Sequence, residues 1–236
     1  MIHYLDLKFS EKPIKSTDVE VKVVDNNGNP VLDDKGKQKV IVKKDSPKAK
    51  LGSVAHYAIQ DTVKALNKKY GLELKKYDLF GGDSEGYMEK FLKKVCRQID
   101  FLNDRQDGVI EDVFNTEIKY ENKTGYLDID AYGLARSWSI DIVKIVEEEL
   151  HRIVENEGIS SIDELKNVDY MWVSDSCVTK INKFINSQLI SVFREMKDAK
   201  IMINRGETFS SNLGLHPVNK PKENNTVIER ESGLTI

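Results

Sequence analysis

A histidine and two aspartates are the side chains of this sequence best suited to catalysis. His56 ends the segment Leu-Gly-Ser-Val-Ala-His, Asp128 ends Gly-Tyr-Leu-Asp, and Asp141 ends Ser-Ile-Asp. Imidazole and carboxylate groups can together bind a divalent metal ion, which then activates water against a phosphodiester. A lysine close by, such as Lys144, would support the attack. If these side chains meet in the fold, they form a metal-dependent hydrolytic site.

These three segments resemble the glycine-to-histidine helix, the glycine-to-aspartate strand and the second-acid strand of RecB-like nucleases. The resemblance implies that His56, Asp128 and Asp141 bind the metal. That family has a lysine two residues after the second acid, whereas this chain has Val143 there. Lys144, one step further, would face the other side of a strand. Asp141 also lies in a segment of helical period, so the nuclease is the alternative interpretation. The primary expectation is no catalytic residue, no metal and no cofactor.

The composition is that of an ordinary globular protein, and its charge balance does not favour binding to polyanions. The 236 residues are 39% hydrophobic and 32% charged, and the net charge is −3. This charge gives no overall attraction to nucleic acid or to anionic membranes. No apolar run approaches the ~18 residues of a membrane helix, and no secretory signal is visible. Cys96 and Cys177 lie among apolar residues and are expected to be free, buried thiols. We expect a cytoplasmic protein, or a virion protein assembled in the host cytoplasm.

The first 45 residues predict a small β-hairpin or meander. Valines alternate with charged residues from residue 19 to residue 23, which is the two-residue period of a strand with one solvated face. A turn at residues 26–29 then leads to a short strand at residues 31–32, and a second turn at residues 33–36 leads to a last strand at residues 40–42. The unit is too small and too charged to have its own core, so we expect it to project and contact partner proteins. The residues predicted to make those contacts are Val19, Val21, Val23, Val40 and Val42.

Residues 46–205 predict a helical body. Apolar residues recur at three- and four-residue steps in stretches that begin near residues 46, 84, 137, 161 and 175. A second short hairpin is predicted at 114–129, with its turn at Asn122–Gly125. The predicted fold class is therefore mainly α (α+β), a helical bundle with short β-elements.

Residues 206–236 show neither a helical nor an alternating apolar period. A segment of this composition becomes ordered only when it is held against a surface. We therefore predict an extended C-terminal arm whose scattered apolar residues bind a neighbouring protein. These anchors are Phe209, Leu213, Leu215, Val218, Val227, Ile228, Leu234 and Ile236.

A helical body with a projecting hairpin and a long arm is similar in layout to the head–tail connector or adaptor proteins of tailed bacteriophages. The resemblance implies a structural subunit of a homo-oligomeric ring, bound to a portal on one side and to tail components on the other. It implies contact with DNA only where DNA passes through the ring, and no contact with a membrane. A generic bacterial or phage regulatory binding protein is a further alternative, besides the nuclease.

Overall fold

The computed structural model of the chain describes residues 7–12, 17–24, 30–33, 35–80, 85–167, 173–209, 216–217 and 229–230. Long helices make up most of this part, and two small sheets accompany them. The mainly α (α+β) class predicted from the sequence is confirmed.

Five α-helices lie within the described residues, together with two short 3-10 helices. The first begins where the sequence predicted, because the Ser46 side chain accepts a hydrogen bond from the Ala49 N–H and a proline follows it. It ends at Gly71, whose φ of 64° is left-handed. The α-helices are α1 Pro47–Tyr70, α2 Glu85–Asp104, α3 Val109–Phe114, α4 Ala131–Glu157 and α5 Asp175–Asn204; the 3-10 helices are Lys76–Phe80 and Ile162–Asn167.

In the described part of the chain, seven short strands form the two sheets. They are β1 Leu7–Ser10, β2 Thr17–Val24, β3 Val40–Asp45, β4 Ile118–Tyr120, β5 Lys123–Ile129, β6 His216–Pro217 and β7 Glu229–Arg230. The larger sheet has the order β4-β5-β1-β6, and the smaller one has the order β3-β2-β7. β1 runs antiparallel to β5, with Phe9 opposite Leu127. β6 and β7 add parallel strands at the edges of β1 and β2.

The core joins the helices to the larger sheet. α1 and α4 pack along each other, and β5 contacts α1 and α3. The largest fully buried side chains include Trp138 of α4, Phe193 of α5, Phe114 of α3 and Leu127 of β5. No helix in the described part of the chain is long and apolar enough to cross a lipid bilayer.

Several boundaries differ from the sequence predictions. α4 begins at Ala131 rather than near residue 137, because the Asp130 side chain accepts a hydrogen bond from the Gly133 N–H at 3.2 Å and caps the helix there. Phe114 belongs to α3, a helix that was not predicted, and the second hairpin therefore begins at Ile118. β1 was grouped with the N-terminal β-element, but it pairs with β5.

The two thiols also differ from each other. Both cysteines are free, and Cys177 is buried as predicted, but Cys96 is exposed. Cys96 lies at the edge of the apolar face of α2, one turn from Leu92 and Ile99, and the expectation that it is buried was wrong.

Candidate functional site

The three side chains of the nuclease resemblance lie on three different elements. His56 is in the middle of α1, Asp128 is near the end of β5, and Asp141 is ten residues into α4. A helix rises about 1.5 Å per residue, which puts Asp141 about 15 Å along α4 from Ala131. Within the described residues, no group of three His, Cys, Asp or Glu side chains is placed to hold a metal ion. The fold does not bring these three residues together.

Asp128 is engaged by a lysine. The Lys50 Nζ, from the first turn of α1, lies 2.9 Å from both carboxylate oxygens of Asp128. Asp128 Oδ1 also accepts a hydrogen bond from the N–H of Ile129 at 2.6 Å. The side chains of Lys50 and Asp128 are 24% and 15% exposed, so water screens their attraction only in part. The carboxylate ties α1 to β5.

Asp141 takes part in a surface ion pair. Its Oδ1 lies 2.9 Å from the Nζ of Lys144, one turn later on the same helix. Both side chains are more than half exposed. The resemblance required a strand here, but the segment is helical, as its apolar period indicated. Asp141 and Lys144 therefore form an ordinary helix-surface pair.

A second lysine ties β1 to the start of α4. The Lys8 Nζ lies 2.7 Å from Asp130 Oδ2. Partial burial would raise the pKa of the Asp130 carboxyl, but the Lys8 ammonium and the Gly133 N–H outweigh it and hold this pKa below its ordinary value. The two acids beside the β5–α4 junction, Asp128 and Asp130, are therefore both paired with lysines.

The C-terminal segment contacts the edges of both sheets. Phe209 is 3% exposed, and its N–H donates a hydrogen bond to the Lys119 carbonyl at 2.9 Å. Its carbonyl accepts a hydrogen bond from the Glu121 N–H at 3.4 Å, so that Phe209 forms a parallel bridge to β4. Phe209 thus packs into the core of its own chain, whereas the sequence predicted a contact with a partner.

Two further contacts lie beyond Phe209. In β6, His216 pairs with Lys8 and Pro217 pairs with Phe9. In β7, Glu229 and Arg230 pair with Val23 and Val24 of β2. The segment therefore reaches β4, β1 and β2 in turn. The other predicted anchors of the arm, Leu213, Leu215, Val218, Val227, Ile228, Leu234 and Ile236, lie outside the described residues.

The N-terminal hairpin forms as two antiparallel strands. β2 and β3 pair over six residue pairs, from Thr17 opposite Asp45 to Lys22 opposite Val40. The side chains of both strands lie outside the described part of the structure. Partner contacts by the five valines of these strands remain a prediction.

Strand β1 is the element of this site that the sequence predictions missed. Leu7 and Phe9 alternate with Lys8 and Ser10, and Phe9 is buried. This two-residue alternation could have identified the strand, although a four-residue strand gives little pattern to detect. Its significance comes from its position, since one edge pairs with β5 and the other accepts β6.

Comparison with known proteins finds no matching family model, no matching curated protein and no matching solved structure.

Proposed function

We propose that this chain is a structural interaction protein that assembles with other subunits by adding its C-terminal arm to the sheet edges of a neighbour. The observation that carries the proposal is the docking of β6 on β1 and of β7 on β2. These parallel strands are only two residues long and come from a segment with no apolar period of its own.

Strand addition of this kind can be exchanged between identical chains. Backbone N–H and carbonyl groups at a sheet edge can form hydrogen bonds with any extended segment. Pockets beside the edge select which side chains, and therefore which segment, bind there. An arm that docks on its own sheet can therefore dock on the same edge of a second copy. Two-residue pairings contribute few hydrogen bonds, so such an exchange has little intrachain contact to break.

The buried Phe209 fixes where the exchangeable part of the arm begins. Because its side chain lies in the body core, residues up to 209 stay with their own chain. Residues 210–236 form the part that can reach a neighbour. A truncation that tests assembly must therefore keep Phe209, since removing it would also destabilise the body.

The specific form of this proposal is a subunit of a head–tail connector ring of a tailed phage. Copies of the chain would form a homo-oligomeric ring through exchanged arms, and the β2–β3 hairpin would contact portal or tail proteins. The protein would then occur in the virion, after assembly in the host cytoplasm. The layout of helical body, hairpin and arm supports this form, and no contact described above favours the nuclease alternative.

The test is a disulfide trap between two populations of chains. Lys8 and His216 are directly paired across β1 and β6, and the usual spacing of paired strands, about 4.8 Å, falls within the Cα–Cα range of disulfides. One population carries Lys8→Cys and the other carries His216→Cys, both with Cys96 and Cys177 changed to Ser. If arms are exchanged, oxidation of the mixture gives covalent dimers. A mismatched pair, Lys12→Cys with His216→Cys, controls for random collision.

Two results would overturn the proposal. The first is that the mixture gives no more covalent dimer than the mismatched pair, while the Lys8→Cys/His216→Cys double variant forms its disulfide within one chain. The second is a native mass of one chain at all concentrations, both for the full protein and after removal of residues 210–236. The expected result is a multiple of the chain mass for the full protein and a folded monomer for the truncation.

A further inference from the structure

The solvent face of α2 carries a straight row of aromatic and basic side chains. Successive members are three or four residues apart, so at 3.6 residues per turn they fall within an arc of about 80°. Every member is exposed. This row, called the basic stripe, consists of Tyr87, Lys90, Lys94, Arg97, Phe101 and Arg105, the last of which directly follows the helix.

The basic stripe contains four cations and no acid. Asp104, at the end of α2, is exposed directly beside the stripe, and other acids of this helix lie further round, where Glu89 pairs with Lys93 and Asp100 pairs with Lys48. Within the described part of the chain, no carboxylate forms an ion pair with a cation of the stripe. The whole chain has a net charge of −3, so this concentration of positive charge runs against the overall balance. A polyanion would therefore be attracted to the stripe although the chain as a whole is weakly negative.

The two aromatic rings of the stripe are each paired with one of its cations. Tyr87 is 45% exposed, and the Lys90 Nζ lies 5.3 Å from its ring centroid. Phe101 is 51% exposed, and the Arg105 guanidinium carbon lies 5.4 Å from its ring centroid. Each half of the stripe thus combines a half-exposed aromatic ring with a positive charge that lies over it.

We propose that the basic stripe binds single-stranded nucleic acid. A nucleotide has a flat base and a negative phosphate, and each aromatic–cation pair offers a partner for both. The cations from Lys90 to Arg105 extend over about 22 Å of helix axis, which accommodates a short run of nucleotides. Binding of this type depends little on the nucleotide sequence, because every base has a face that can stack on an aromatic ring.

Single strands fit the stripe better than the other polyanions do. In a duplex the faces of the bases are stacked on one another, so Tyr87 and Phe101 would gain nothing. An acidic protein surface would use the four cations but would not need two exposed rings aligned with them. The combination of rings and cations on one helix face is what favours single strands.

The test is fluorescence anisotropy with a labelled oligothymidylate of about 20 nucleotides, titrated with the full chain at several salt concentrations. Lys94→Gln combined with Arg97→Gln is expected to weaken binding at least about tenfold and to reduce the salt slope by about 1.4, since each phosphate contact contributes about 0.7. Phe101→Ala is expected to weaken binding about tenfold with an unchanged salt slope, because it removes stacking and not charge.

Matched controls lie on the same helix and on another one. Lys93→Gln removes a neighbouring lysine that belongs to the Glu89 pair, and Tyr132→Ala removes an exposed aromatic ring of α4. Both should bind like the unsubstituted chain. All the changed side chains are exposed or on a helix surface, so circular dichroism should be unaltered.

Three outcomes would overturn the proposal. One is no binding of the oligonucleotide at micromolar protein. Another is an equal loss in Lys93→Gln and in the Lys94/Arg97 double variant. The third is that duplex DNA or polyglutamate binds more tightly than the oligothymidylate and that Phe101→Ala leaves the binding unchanged. That result would identify the stripe as a purely electrostatic contact surface.

Discussion

The Lys50 ammonium lies 2.9 Å from both carboxylate oxygens of Asp128, and this pair joins the first turn of α1 to the end of β5. The acid that resembles a nuclease metal ligand is thus part of a tie between a helix and the central sheet. Because Lys50 and Asp128 are mostly buried, removing the Lys50 ammonium leaves the Asp128 carboxylate without this counter-charge in a poorly solvated place.

The first prediction follows from that pair. Lys50→Met, which keeps the length of the side chain, is expected to lower the free energy of unfolding by about 1–2 kcal/mol. Asp128→Asn should cost a similar amount, and the double variant should cost less than the sum of the two. Urea denaturation measures all three. Lys48→Met is the matched control, because Lys48 and Asp100 are about half exposed and their pair should contribute less than about 0.5 kcal/mol. If the cost of the double variant equals the sum of the two single costs, Lys50 and Asp128 do not stabilise the fold through their contact.

A second prediction concerns metal-dependent cleavage. With Mn²⁺ present, the purified chain is expected to leave single-stranded and duplex DNA intact, because His56, Asp128 and Asp141 do not form a metal-binding group. The assay compares the unsubstituted chain with Asp128→Ala. Cleavage by the former and none by the latter would instead establish the nuclease alternative, whereas equal cleavage by both would indicate a contaminant.

A third prediction concerns pH and Glu149, a carboxylate of α4 that is 7% exposed. The Arg152 guanidinium contacts both of its oxygens, at 2.7 and 3.0 Å, and the Ser174 N–H donates to it at 2.8 Å. These partners lower the pKa of Glu149 from its ordinary value of 4.5 to about 2, although burial opposes the shift. The ionised form therefore stabilises the fold above pH 4.5, and this stabilisation is lost as the pH falls from 4.5 toward 2.

The measurement is the urea midpoint of Glu149→Gln between pH 7 and pH 3. At pH 7 the variant is expected to be about 2 kcal/mol less stable. The difference should narrow below pH 4.5, because the unfolded unsubstituted chain then takes up a proton that the folded chain does not bind until about pH 2. Glu148→Gln is the control, since Glu148 is 68% exposed and pairs with Lys180 at the surface. A difference that stays constant with pH would show that Glu149 acts only through packing.

A fourth prediction concerns Gly125 of β5, which β1 covers closely. A Cβ added there would lie 2.5 Å from the Ser10 carbonyl oxygen and 2.6 Å from the Phe9 ring. Because one of these atoms belongs to the backbone, Gly125→Ala should force β1 away from β5 and cost about 2 kcal/mol. Gly52→Ala is the control, since the nearest atom to its added Cβ is Cys96 Sγ at 3.7 Å and alanine favours a helix by up to about 1 kcal/mol. Equal thermal stability of the Gly125→Ala and Gly52→Ala variants would contradict the close contact between β1 and Gly125.

The sequence predicted the long helices well, because their apolar stripes repeat over many turns and some carry local caps. Ser46 and Gly71 frame α1, and Ser174 caps α5, each through a contact within four residues. Such signals are local, and a sequence displays them directly. The start of α4 was placed six residues late. Asp130 directly follows the last residue of β5, and the sequence does not show that its side chain accepts a hydrogen bond from the Gly133 N–H.

The candidate site was harder to predict, because it depends on contacts between distant parts of the chain. Pairing of β1 with β5 joins residues more than a hundred positions apart, and no local pattern specifies it. Burial of Phe209 depends on the edge of β4 and not on its own neighbours. The basic stripe is visible in the sequence only after α2 is wound into a helix, since core residues separate its members.

The last prediction concerns Phe209, which fixes the base of the C-terminal arm. Its side chain is 3% exposed, and its backbone is hydrogen-bonded to Lys119 in β4 and to Glu121 directly after β4. Phe209→Ala is expected to lower the free energy of unfolding by about 3 kcal/mol, because it removes a large buried ring and leaves a cavity. Amide exchange at Phe209 should also become faster, since its hydrogen bond to the Lys119 carbonyl holds only while the segment is docked. Ile201→Ala, near the end of α5 and 39% exposed, is the control and should change both quantities little. If Phe209→Ala speeds amide exchange without lowering the stability of the body, the arm undocks separately from the core, and its base is as exchangeable as β6 and β7.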